Sequence, residues 1–375
     1  MNILICIGTR PEAIKMAPLY LELKKEKLFK VKVCVTAQHR ELLDQVLSFF
    51  QIKPDYDLNL MKKNQSLNEL SAKIIKGVDK VLSLAHFDLV MVHGDTTTSS
   101  LASLAAFHRK IRVAHIEAGL RTYNKTSPFP EELNRQMTSR IADYHFAPTN
   151  KARENLIKEG IEDKNIVVTG NTVIDALFMG CNKLNKGYIS DGIKLLNSII
   201  NYNKKVILVT GHRRENFGKK FEYFCEIIKE ISEKYDVQIV YPVHLNPNVQ
   251  EPVNRILGGC SNISLIDPLE YPEFLYLMTN STFIITDSGG IQEEAPSLGK
   301  PVLVTRDITE RVEAIEAGNA ILVGVNRKII LTEIEQLLND KMYYAKIANS
   351  SNPYGDGLAS IKIKKFLLKL LIESN

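Results

Sequence analysis

At 375 residues the chain is longer than one ordinary core organises, and two domains are predicted. Hydrophobic residues make up 45% and charged residues 24%, with no low-complexity tract, which excludes disordered and fibrous classes. The net charge of +5 is dispersed over clusters such as Lys24-Lys25, Lys62-Lys63 and Lys204-Lys205 at helix ends or in loops, so no basic stripe for nucleic acid is expected.

Residues 3–7 form a β-branched run leading into Gly8-Thr9-Arg10-Pro11-Glu12. Pro11 suits the first helical position, and Ile14, Ala17 and Leu21 recur at helical spacing behind it. Further short strands are predicted over 31–36, 89–92, 113–116, 144–147 and 166–169, alternating with helical segments. This alternation marks an open, mostly parallel sheet wrapped by helices. After a polar stretch over 182–205 a second series begins, with strands over 206–210, 237–241, 263–266, 283–286, 301–304 and 320–323. The two series open alike, Gly-Thr-Arg in one and Gly-His-Arg in the other. The expected architecture is therefore α/β, with two doubly wound Rossmann-like domains. The reading assigns 1–169 to the first domain, 170–360 to the second, and 361–375 to a helix packing across to the first.

The five cysteines, Cys6, Cys34, Cys181, Cys225 and Cys260, are odd in number and lack CxxC spacing. Cys6, Cys34 and Cys225 fall on apolar faces, which predicts buried free thiols in a reducing compartment. No apolar run approaches bilayer length and the N-terminus enters a strand without a basic leader, so a cytoplasmic protein with no membrane contact is expected.

In doubly wound sheets ligands bind beyond the carboxyl ends of the strands, and two such domains facing each other would share one cleft. Residues just after strands therefore become the candidates. Asp95 follows the strand at 89–92, Glu117 follows that at 113–116, and Glu131 opens a later helix. Each acid alone also fits a structural role at a helix start. Three together favour general acid–base work. The second half supplies cations instead: His212, Arg213, Arg214, Lys219 and Arg311. Ser288-Gly289-Gly290 follows the strand at 283–286, where absent side chains and a helix start fit both a tight connection and an anion seat. No Walker motif and no GxGxxG spacing is present, which disfavours ATP hydrolysis and a nicotinamide site. No His/Cys cluster has metal-ligand spacing, so neither metal nor cofactor is expected.

These residues belong to a recognisable series. GTRPEAIKMAPL at 8–19, TAQHRELLDQVL at 36–47, HGDTTT at 93–98 and HIEAGLRT at 115–122 come first. GNT.ID at 170–175, HRREN at 212–216, DSGGIQEEAPSLGKPVL at 287–303 and NPYGDG at 352–357 complete it. The chain resembles the non-hydrolysing UDP-N-acetylglucosamine 2-epimerases from near its first residue to its last helix. The resemblance implies a glycosyltransferase-B-like fold, a cytoplasmic homodimer, and interconversion of UDP-N-acetylglucosamine and UDP-N-acetylmannosamine for surface polysaccharides. The implied chemistry eliminates UDP to leave 2-acetamidoglucal and then adds UDP back, without a cofactor.

Carried over position by position, Asp95, Glu117 and Glu131 resemble the acid–base carboxylates. His212 resembles the histidine that meets the diphosphate. Arg10, Lys15, Arg213, Ser288, Gly289, Gly290, Glu294 and Arg311 resemble UDP contacts, with Phe274 near the uracil. Gln38, Gln65, Arg213 and His244 fall where bacterial members bind a second UDP-N-acetylglucosamine as activator. Asn64 stands where some members carry Arg, and Ile308 and Val312 depart from the usual TTERPE. A hydrolysing relative, an epimerase for a modified UDP-sugar and a UDP-sugar glycosyltransferase of the same fold are the alternatives.

Overall fold

The structure, a computed structural model, describes residues 1–36, 40–62, 65–309 and 311–373. The chain forms two compact units, Met1–Met179 with Tyr354–Asn375, and Gly180–Pro353. Unit 1 contains β1 (Asn2–Ile7), β2 (Lys30–Val35), β3 (Tyr56–Asp57), β4 (Leu89–His93), β5 (Arg112–Ile116), β6 (Tyr144–Ala147) and β7 (Ile166–Val168). Unit 2 contains β8 (Lys205–Thr210), β9 (Val237–Pro242), β10 (Ile263–Ile266), β11 (Phe283–Thr286), β12 (Val302–Val304) and β13 (Ala320–Leu322).

Every strand pair is parallel. The sheets run β3-β2-β1-β4-β5-β6-β7 and β10-β9-β8-β11-β12-β13. Both follow the doubly wound order, whose direction reverses between β1 and β4 in one sheet and between β8 and β11 in the other. The α/β architecture of two Rossmann-like units read from the sequence is thus present.

The central strands are apolar throughout because helices cover both faces. In unit 1, Leu4, Cys6 and Val90 pack with Ile74, Val78 and Ala106. In unit 2, Val209, Ile239 and Ile285 pack with Phe221, Ile228 and Val253. Each fully buried Ile, Leu, Val or Phe contributes about 1.5–3 kcal/mol, enough to hold the strand ends rigidly where loops emerge. Cys6, Cys34 and Cys225 are buried free thiols. No helix of the described residues is long and apolar enough to cross a membrane.

The division between the units differs from the expected bounds, falling after Met179 and before Tyr354. The physical reason is a set of bonds at the start of helix Thr172–Asn185. Asn171 N–H donates to Tyr354 O at 2.7 Å. Asp175 accepts from the backbone N–H groups of Ala359 and Ser360 at 3.2 and 2.8 Å. The returning chain is thereby tied to unit 1 before its last helix begins. That helix, Ala359–Glu373, lies along helix Arg10–Lys24, with Lys364 paired to Glu22. Phe366 meets Tyr144 and Phe146 edge-on, at centroid distances of 5.5 and 5.4 Å.

Candidate active site

At the switch point of unit 1, β1 delivers Gly8-Thr9-Arg10 and β4 delivers Gly94-Asp95. Glu12 fastens the two loops. Its Oε2 accepts from Gly8 N–H at 3.0 Å, Thr9 N–H at 2.8 Å and the Thr9 hydroxyl at 2.8 Å. Its Oε1 accepts from the Thr96 and Ser99 hydroxyls at 2.7 and 3.1 Å. Burial pushes the Glu12 carboxyl up, and these hydrogen bonds oppose the rise. Glu12 carried no role in the sequence reading, although Thr9-x-x-Glu12 has capping-box spacing that could have revealed it.

Of the three candidate acids, Asp95 and Glu117 follow β4 and β5, Glu131 opens a later helix, and their surroundings are unequal. Asp95 is paired with Arg135, whose other end reaches Glu132 at 3.3 Å. Glu117 follows β5 in the left-handed region, at φ +61°, a conformation costing a non-glycine residue about 1–3 kcal/mol. Its Oε2 is bonded by Lys15 Nζ and by Asn171 Nδ2, the latter at 2.7 Å. His93 Nε2 lies 3.8 Å from the same oxygen. Burial holds the His93 imidazole down at about 4, with the Glu117 charge opposing and Lys15 assisting, so it is neutral near pH 7. Glu131 opens helix Glu131–Ile141 with its Oε2 buried and unpartnered. The neighbouring Glu132 is structural: fully buried, it accepts from Thr122 N–H and Tyr123 N–H at 3.0 Å each and from Gln136 at 2.8 Å.

The loop carrying Glu117 is fixed from behind. Gly119 sits at φ +93°, and a Cβ there would stand 2.2 Å from Ala152 O. Arg121 grips Glu159 through two bonds of 2.7 and 2.8 Å. This fastening offsets the backbone strain at Glu117 and holds the carboxylate at the strand end.

In unit 2 the same topological position has a different lining. Asp287, 1% exposed, accepts from the backbone N–H groups of His212 and Arg213 through Oδ2, each at 2.9 Å. It thereby stitches the end of β11 to the loop after β8. Thr210 and Thr286 share a hydroxyl contact of 2.6 Å just below. His212 Nδ1 lies 3.6 Å from Asp287 Oδ1, and the ring stacks on His244 at 5.2 Å and 10°. Burial lowers the His212 imidazole first, Asp287 pulls it back up, and His244 and Arg213 push it down again.

Helix Gly289–Glu294 begins directly at the first glycine, with Ser288 as its N-cap. A Cβ on Gly290 would meet only Glu294 Oε2 at 3.8 Å and Ser288 Oγ at 3.9 Å, so the space above this turn is open to a ligand. Arg311 has a protein partner, Glu293, reached by Nε and Nη2 at 2.8 Å each. Its loop is tied by Thr309, which donates to Gln292 at 2.7 Å and accepts from Arg311 N–H at 3.1 Å.

Arg10 and Lys15 sit on the first helix of unit 1, and Phe274 is half-buried on helix Tyr271–Asn280 of unit 2. Of the activator set, Gln38 lies outside the described residues, as does Asn64. Gln65 accepts from Lys73 at 3.1 Å in unit 1, while Arg213 and the exposed His244 belong to unit 2. Among the described residues no group of His, Cys, Asp and Glu has the arrangement of a metal site.

A family model described as UDP-N-acetylglucosamine 2-epimerase matches residues 21–368. The chain belongs to this family. A relative of that name from Campylobacter jejuni is 56% identical over 374 residues, covering 98% of this chain and 97% of its own. One from Escherichia coli K12 is 53% identical, with 98% of each chain covered. The crystal structure of the Neisseria meningitidis UDP-GlcNAc 2-epimerase bound to UDP-GlcNAc superposes with a TM-score of 0.90 at 54% identity. It covers 98% of this chain and 100% of that one. The family's sequence series and the strand-end loops described above therefore coincide along one chain.

Proposed function

We propose that the protein interconverts UDP-N-acetylglucosamine and UDP-N-acetylmannosamine, inverting the sugar's second carbon without hydrolysing the substrate. The C2 proton is not acidic, because no carbonyl is attached to that carbon. A carboxylate takes this proton while the C1–O bond breaks and UDP leaves, giving a C1–C2 double bond in 2-acetamidoglucal. A proton then enters C2 from the other face and the UDP oxygen rejoins C1. Such a path needs carboxylates for the proton and a seat that keeps UDP between the two steps.

The observation that carries the reading is the pair of engaged acids at strand ends, Asp95 with Arg135 and Glu117 with Lys15 and Asn171. A carboxylate can take up a proton, and a paired cation or amide fixes where it points. Asp95, Glu117 and Glu131 are assigned the proton transfers, and His212 the departing diphosphate. Ser288, Gly289, Gly290, Arg10, Lys15, Arg213 and Arg311 take the diphosphate, Glu294 the ribose hydroxyls and Phe274 the uracil. His212-Arg213-Arg214-Glu215-Asn216 is intact, which supports the non-hydrolysing branch. The family resemblance further supports a cytoplasmic homodimer that feeds surface-polysaccharide synthesis. It also supports a second UDP-N-acetylglucosamine acting as activator near Gln65, Arg213 and His244.

Incubation with UDP-N-acetylglucosamine in deuterated water, followed by NMR and an assay for free UDP, tests this reading. Expected are the manno epimer, deuterium at C2 and no stoichiometric UDP. Release of UDP with free N-acetylmannosamine would transfer the protein to the hydrolysing branch. Absence of both epimer and deuterium would refute epimerisation.

A further inference from the structure

Two motifs of the series, GNT.ID and NPYGDG, have no part in the assignments above, yet Gly170-Asn171 of the first meets Tyr354-Gly355 of the second within unit 1. Gly170 and Gly355 lie back to back at φ +87° and +136°. A Cβ on Gly170 would stand 3.1 Å from Gly355 Cα, and one on Gly355 would stand 3.3 Å from Gly170 Cα. Only residues without side chains permit this approach. It brings the Tyr354 carbonyl to Asn171 N–H at 2.7 Å. The returning segment is pinned further by Asp175 on Ala359 and Ser360, and by Lys362 donating to Thr169 O at 3.3 Å.

Asn171 is the residue this interlock holds. It is 2% exposed, and its Oδ1 accepts from Val173 N–H at 3.1 Å. That bond leaves Nδ2 aimed at Glu117 Oε2, 2.7 Å away. We propose that Asn171 is a positioning residue for Glu117, and that the Gly170/Gly355 interlock exists to hold its amide in place. The proposal rests on the reading of Glu117 as a proton-transferring carboxylate.

The groups facing Glu117 define what the amide adds. Lys15, from helix Arg10–Lys24, supplies a cation to Oε2. His93, at the end of β4, stands 3.8 Å from Oε2 and is neutral near pH 7. Gly94 passes close to Oε1, to which a Cβ there would be 3.4 Å distant. A flexible lysine fixes charge but not direction. The amide, locked at its other end, supplies direction. With two anchors on Oε2, the carboxylate has less freedom to rotate than one lysine contact alone would leave it.

Asn171→Asp is the decisive variant because it keeps the acceptor for Val173 N–H and replaces only the donor to Glu117. Two carboxylates then share the position, and their repulsion raises the apparent pKa of the pair. Turnover should fall at least tenfold at pH 7, with the acidic limb of the kcat profile moved to higher pH and UDP affinity unchanged. Asn171→Ser, which also retains an acceptor, should lower kcat with KM unchanged. Wild-type pH profile in Asn171→Asp, or wild-type kcat in Asn171→Ser, would overturn the proposal. Glu117→Gln, measured alongside, separates the two levels: full activity in that variant sinks the role of Glu117 itself.

Discussion

The two units have the same scaffold and line it with different residues. Each winds its strands in the same order, and each stitches the two loops at its switch point with one buried carboxylate, Glu12 in unit 1 and Asp287 in unit 2. Each sets a pair of threonine hydroxyls beneath, Thr36 with Thr98 at 2.8 Å and Thr210 with Thr286 at 2.6 Å. The linings then diverge. Unit 1 places further carboxylates after β4 and β5 and provides each with a cation. Unit 2 places glycines after β11 and leaves open space over Gly290. The scaffold thus supplies rigidity, and the few residues at each strand end carry the difference on which the proposed division between proton transfer and anion binding rests.

The comparison breaks most visibly if the carboxylates of unit 1 are neutralised. Glu117→Gln and Asp95→Asn are each expected to lower turnover by about a thousandfold, within the range of general acid–base catalysis. UDP affinity, measured by calorimetry, should change little. In unit 2 the converse is expected. Asp287→Ala orphans two N–H groups and should weaken UDP binding about a hundredfold, while Asp287→Asn restores most of the loss.

A third variant acts on stability rather than ligand. Gly119→Ala puts a Cβ into Ala152 O at positive φ and should destabilise unit 1 by about 2–3 kcal/mol. Thermal melting followed by a probe in each unit should show the loss in unit 1. The smallest effect concerns His93. Its folded-state pKa of about 4 lies below the ordinary 6.5, so the unfolded chain binds the proton first as pH falls. Its contribution to stability is complete above pH 6.5 and declines towards pH 4. Relative to His93→Gln, the wild-type protein should lose up to about 2 kcal/mol between pH 7 and 5 in denaturant titrations.

Much of the scaffold was legible because buried parallel strands are short β-branched runs, and glycine and proline punctuate their ends. β3 escaped because Tyr56–Asp57 is two residues long and carries no run. The division into units was not legible in the sequence, because the bonds from Asn171 and Asp175 to the returning chain join residues far apart in sequence. The candidate acids stood out as strand-end residues within a familiar series. Their partners did not. Arg135 and Asn171 lie on elements distant in sequence from Asp95 and Glu117, and no local pattern announces such pairing. His93 and Asp287 lay within quoted motifs, but their burial is a tertiary property. The Arg311–Glu293 pair likewise needs the helix and the later loop brought together.

In the proposed function unit 2 keeps UDP while the carboxylates of unit 1 move the proton, so the glycosidic bond breaks and reforms in every turnover. UDP-N-acetylglucosamine labelled with oxygen-18 at the bridge between C1 and the β-phosphorus, incubated in deuterated water, tests it most directly. Deuterium is expected to enter C2 while the label scrambles into the non-bridging β-phosphate oxygens, because the freed phosphate rotates before it returns. Deuterium at C2 with the label still wholly in the bridge would contradict it.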